Sequence, residues 1–137
     1  MNNLLKPDIG AFILRIALGT VILAHSVYLK LVVYSLPGTA EFFTSIGLPG
    51  FFAYIVFLTE VIVGVALILG VQTRFFCALV LPVLLGATWV HWSNGWLFTN
   101  TGGGWEYPLF LSVMALVQLS LGNGKYAVMT TNTIKEQ

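Results

Sequence analysis

Between Ile9 and Leu121 this chain places only six charged side chains, Arg15, Lys30, Glu41, Glu60, Arg74 and Glu106, with long apolar runs between them. That scarcity constrains the fold more than any motif does. Charged residues make up 8% of the sequence, against about 25% in a soluble domain, too few to cover a surface facing water. A spanning helix needs about 20 mostly apolar residues. Four segments approach this, about 9–34, 51–71, 75–96 and 107–121. The last is the shortest and still spans where the bilayer thins. The expected fold is all-α, a bundle of four transmembrane helices forming one transmembrane domain over residues 1–137, with the lipid bilayer as its main partner. A net charge of +1 argues against nucleic-acid binding, which needs a concentrated basic surface.

The breaks between the runs have local causes. Pro37-Gly38 is expected to end the first helix and Leu48-Pro49-Gly50 to open the second. Gly70 with Gln72-Thr73-Arg74 makes a tight connection, and Asn94 to Gly104 forms the one long loop. Gly122-Asn123-Gly124 stops the fourth helix, and the tail after Met129 reads as polar and frayed. Between the first two breaks, Thr39 is a plausible N-cap, and Phe42, Phe43 and Ile46 share one helical face. This predicts a short helix in the membrane interface between the first and second spans. Pro82 should kink the third helix. Ala78, Pro82 and Gly86 form a small-residue stripe suited to close helix approach. The first apolar run contains Arg15 and lacks an evident cleavage site, so it reads as a retained helix rather than a signal peptide.

Four spans put both termini on one side, with Lys6, Arg74, Lys125 and Lys135. The opposite side holds Lys30, Glu41 and Glu106. The positive-inside rule places both termini of this multi-pass chain in the cytoplasm. Aromatic residues crowd the outer side, among them Trp92, Trp96, Trp105 and Tyr107. They form an interfacial belt, with a binding role for some as the alternative.

At about 1.5 Å per residue, His25 and His91 lie roughly 7 Å inside the outer boundary and Glu60 roughly 13 Å inside. The outer half thus gathers His25, Lys30, Glu60, His91 and Glu106 from all four helices. A charge at the centre of a spanning helix costs about 2.5–3.5 kcal/mol, so these groups should pair or face water inside the bundle. Lys30 and Arg15 either snorkel to opposite interfaces or pair inside. Glu106 either serves the helix dipole or binds. Glu60 is too deep to snorkel, so it is protonated, paired with Arg15 or a histidine, or exposed to a cavity; compensation by Arg15 from below is the specific expectation. Two histidines can ligate haem, and two with a glutamate can hold a transition metal. The haem arrangement has no supporting motif here, and the metal reading is the weaker alternative. A histidine and a carboxylate beside aromatic rings suit a quinone head group, the histidine donating to a carbonyl oxygen and the glutamate relaying protons. On this reading Glu60, His25 and His91 are the catalytic candidates. Arg15, Lys30, Trp92, Trp105, Glu106 and Tyr107 are the binding candidates, and the Asn94–Gly104 loop is a lid. Cys77 is a small buried hydrophobe, and a lone thiol excludes a dithiol couple.

In the order and spacing of its motifs the chain resembles the DoxX family of small membrane proteins. The motifs are Arg15, His25 and Lys30; Gly47-Leu48-Pro49; Glu60, Gly64, Leu69-Gly70 and Thr73-Arg74; His91; Gly103-Gly104-Trp105-Glu106-Tyr107-Pro108-Leu109; and Gly122-Asn123-Gly124-Lys125-Tyr126. Where the family commonly has glycine after the first histidine, this chain has Ser26. The resemblance implies a four-helix inner-membrane protein and, through some relatives, quinone-linked redox chemistry. Distant relatives look like cargo receptors or assembly factors. Two readings follow. One is a quinone-linked, redox-associated subunit working with partner redox proteins; if catalytic, it is an oxidoreductase subunit. The other is a non-catalytic membrane scaffold or assembly factor.

Overall fold

A computed structural model describes residues 6–129, so Lys135 and the tail beyond Met129 lie outside the described residues. Within them the chain is helical, with no strand. Helix α1 (Pro7–Leu23) runs straight on into a ten-residue π-helix (Ala24–Val33). Then come α2 (Leu36–Ser45), α3 (Phe52–Leu69), α4 (Thr73–His91) with one 3-10 turn (Trp92–Asn94), and α5 (Glu106–Leu121). Three stretches, Pro7–Val33, Phe52–Leu69 and Thr73–Asn94, are long and apolar enough to cross a membrane. Helix α5 is apolar but has 16 residues, a length of about 24 Å.

Helix α1 packs on α3 and α5, and α4 packs on the same two, so α1 and α4 stand diagonally. The shared core takes Leu18 and Ile22 from α1, Val63 and Leu67 from α3, Cys77, Val80 and Leu84 from α4, and Leu111 and Ala115 from α5. The closest crossing is α1 on α3. A Cβ on Gly64 would stand 2.5 Å from Leu23 Cγ, and one on Gly19 would stand 2.9 Å from the Gly64 carbonyl oxygen. Only residues without a side chain permit that approach. The stripe of Ala78, Pro82 and Gly86 does not serve it. All three are exposed, and a Cβ on Gly86 would meet nothing within 4 Å.

Helix α2 starts earlier than the sequence suggests. Ser35, at φ 63°, accepts from the Gly38 amide and caps it, and Pro37 occupies its first turn. Proline lacks the N–H that a first turn leaves unpaired, so Pro37-Gly38 begins a helix here instead of ending one. Thr39 is therefore not the cap. It is buried, and its hydroxyl donates to the carbonyls of Ser35 at 2.8 Å and Lys30 at 3.3 Å.

At the end of the bundle where α1 begins and α5 ends, every terminal carbonyl of α3 finds a donor. Gly70 turns left-handed at φ 73°, and the Gly70 and Val71 amides donate to Ala66. Arg15 Nη1 donates to Leu67 at 2.7 Å and Ile68 at 2.9 Å, and the Val128 amide donates to Leu69. Four carbonyls that a helix end leaves open are thus satisfied without water. Arg15 Nη2 also reaches the Lys125 carbonyl, tying the segment after α5 to α1. Arg15 is fully buried, and its charge faces the negative end of the α3 dipole.

Candidate functional site

The polar cluster at the opposite, loop-bearing end begins with the π-helix. In an α-helix, residues five apart point about 140° away from one another. A π-helix bonds i to i+5 and brings such residues much closer to one side. The Tyr34 amide, for example, donates to Leu29. His25 and Lys30 therefore come onto one face. Ser26 stands at the start of this segment, fully buried, its hydroxyl shared between the carbonyls of Ile22 and Leu23. Such back-bonding by a buried serine perturbs the α ladder. Thr39 holds the other end through the Lys30 carbonyl. Neither Ser26 nor Thr39 was among the expected site residues. The signal for Ser26 was a hydroxyl next to the histidine in an otherwise apolar helix.

Lys30 Nζ donates to both oxygens of Glu60, at 3.0 and 2.8 Å. The two side chains are 19% and 8% exposed, so the pair is sheltered and Lys30 does not snorkel free. This corrects the expectation that Arg15 compensates Glu60. Glu60 lies two turns along α3 from Leu67 and Ile68, where the guanidinium is already committed. His25 lies five residues before Lys30 in the same π-helical segment. Its Nδ1 donates to the Val21 carbonyl at 2.9 Å, and its ring lies 5.7 Å from that of Tyr107, tilted 31°.

His91, on the diagonal helix, repeats this bonding. Its Nδ1 donates to the Ala87 carbonyl at 2.8 Å, and a Cβ on Gly103 would stand 3.5 Å from its ring. His25 thus meets the first turn of α5 and His91 the loop just before it. Among the described residues, no group of three or more His, Cys, Asp or Glu is close enough to hold a metal ion. A cavity of about 370 Å³ at this end is lined by Ile46, Trp89, Val90, Trp92 and Ser93. Trp92 borders it, whereas His25, Glu60 and His91 do not.

The long loop is braced on itself. Asn94 Nδ2 donates to the carbonyls of Gly102 and Gly103, and Asn100 Nδ2 donates to that of Asn94. The amides of Trp105 and Glu106 return to Gly95 and Trp96. Glu106 Oε1 accepts from the Phe98 amide at 2.8 Å, so its carboxylate clamps the loop. Trp105 stacks on Trp92 at 4.6 Å and meets Trp96 edge-on at 4.5 Å. These bonds describe a fitted cover more than a loose lid. Of the expected binding residues, Lys30 and Tyr107 stand with His25 and Glu60. Trp92, Trp105 and Glu106 belong to the cover, and Arg15 belongs to the far end.

An all-helical chain with three helices of spanning length and composition, each mostly exposed along its apolar surface, is a multi-pass membrane protein in contact with the lipid bilayer. It belongs to the DoxX family, whose profile matches residues 10–92. That range includes Arg15, His25, Lys30, Glu60, His91 and Trp92, and leaves out Trp105, Glu106 and Tyr107. The chain is 36% identical over 80 residues to a protein named "Putative oxidoreductase CatD" in Bacillus subtilis (strain 168), and the match spans 58% of each chain. No solved structure matches the chain.

Proposed function

We propose that this protein is a redox-associated subunit of the inner membrane that binds a quinone head group at the cluster of Lys30, Glu60 and His25. On this reading α1, α3, α4 and α5 all cross the bilayer as one domain, and α2 lies along the outer interface. Both termini are cytoplasmic, so the cluster sits in the outer half. The observation that carries the reading is the sheltered Lys30–Glu60 pair beside an imidazole with one nitrogen open and an aromatic ring at hand. Ion pairs at membrane depth are rare and mark sites of ligand or proton handling. The name of the Bacillus subtilis relative is in keeping with redox work. No electron carrier belongs to the residues themselves, so electrons pass to or from a partner redox protein. With Nδ1 bonded to the Val21 carbonyl, Nε2 is the nitrogen of His25 that is open to a ligand, and in the neutral ring it accepts. His91 stands as a second acceptor, across the first turn of α5.

A second reading, a scaffold for other membrane proteins, draws on the braced loop, where Trp96, Leu97 and Phe98 are all exposed. The test separates the two. The purified protein is extracted for co-purifying quinone and titrated with a short-chain quinone analogue. Binding that weakens in His25→Ala and Glu60→Gln but not in Cys77→Ala supports the quinone site. Equal behaviour of all three variants, with no quinone in the extract, leaves the scaffold reading.

A further inference from the structure

We infer that the cluster selects the reduced, dihydroxy form of its ring ligand, a hydroquinone, with His25 Nε2 accepting one of the ligand's O–H groups. The inference rests on the quinone-site reading above and concerns binding alone.

It follows from where the imidazole protons are. His25 Nδ1 lies 2.9 Å from the Val21 carbonyl oxygen. A carbonyl can only accept, so Nδ1 carries the proton. In its neutral form the ring has that one proton, and Nε2 is then a lone pair. His91 is fixed in the same tautomer by the Ala87 carbonyl at 2.8 Å. Neither Nε2 has a protein hydrogen-bond partner among the described residues. Both rings are half-buried.

The rest of the cluster has the same polarity. Ionised Glu60 only accepts, and Lys30 has already turned two of its three ammonium protons onto it. Acceptors are therefore in excess. An oxidised quinone brings two more acceptors, its carbonyl oxygens. One can take the remaining Lys30 proton, but the edge facing His25 sets a lone pair against a lone pair. A hydroquinone of the same size brings an O–H to each end, and its ring can lie beside Tyr107. Leaving a sheltered acceptor unmatched is the larger penalty in such a comparison.

The test uses the full-length protein in lipid nanodiscs, under anaerobic conditions. The probes are a short-chain ubiquinol and the matching ubiquinone, each followed by equilibrium dialysis. The reduced form is expected to bind about tenfold tighter, the ratio that one matched hydrogen bond of about 1.4 kcal/mol sets. In His25→Gln, whose amide both donates and accepts, the two affinities should converge. His91→Gln should keep the preference. Equal affinities in the unaltered protein overturn the inference and leave the quinone site standing. Failure of both forms to bind removes the site itself. A preference that survives His25→Gln, or vanishes in His91→Gln alone, overturns the assignment to His25. The comparison in the unaltered protein needs no variant to fold.

Discussion

Glu60 and Lys30 should behave as a coupled pair, and a double-mutant cycle measures this. Their closest atoms are 2.8 Å apart. At an effective dielectric of about 20, opposite charges at that distance attract by about 6 kcal/mol. Desolvation of both groups offsets much of it. Removing one partner is worse than removing both, because it strands a charge in the bundle. For fully buried pairs that costs about 3–5 kcal/mol. Lys30 keeps 19% of its side-chain surface exposed and can partly snorkel once freed, so the lower end, about 3 kcal/mol, is expected for Glu60→Gln. Lys30→Met should lose a similar amount. The double variant should lose clearly less than the sum, with a coupling of about 1–3 kcal/mol. Unfolding of the detergent-solubilised protein, followed by tryptophan fluorescence, supplies the four stabilities. Strict additivity of Glu60→Gln and Lys30→Met would refute the pairing. So would coupling of Glu60→Gln to Arg15→Ala in its place, because that would restore Arg15 as the counter-charge.

Two further outcomes follow from the other end of the bundle and from the topology. Arg15→Lys keeps the charge but not the fork that reaches three carbonyls. It should cost about 3 kcal/mol and speed hydrogen exchange at the Val128 and Met129 amides, and unchanged exchange there would show that the segment is held without Arg15. Reporter fusions after Lys125 should be active only in the cytoplasm, and a label at Thr101 should react from outside. An external C-terminus would place His25, Lys30 and Glu60 in the inner leaflet.

What the sequence determined by itself was set by solvent and by chain-local chemistry. Six charges in more than a hundred residues require lipid, and lipid requires helices, since backbone groups there have no water to turn to. The long apolar runs, the tight connection at Gly70 and the family motifs were legible for the same reason: each depends on neighbours in the chain. The depth of Glu60 and the need for a counter-charge were also legible. Which cation supplies it was not. Helix counting at about 100° per residue leaves Arg15 and Lys30 roughly 60° apart, so it does not choose between them. The tertiary structure decided it: Lys30, on the π-helical continuation of α1, reaches Glu60, and the open carbonyls at the end of α3 take Arg15. The tautomer of His25 was hidden as well, since it depends on a carbonyl one turn back being free to receive the ring. A side chain's local preferences are written in its own segment. Its partner is chosen by whichever unsatisfied group the packing of the helices brings within reach.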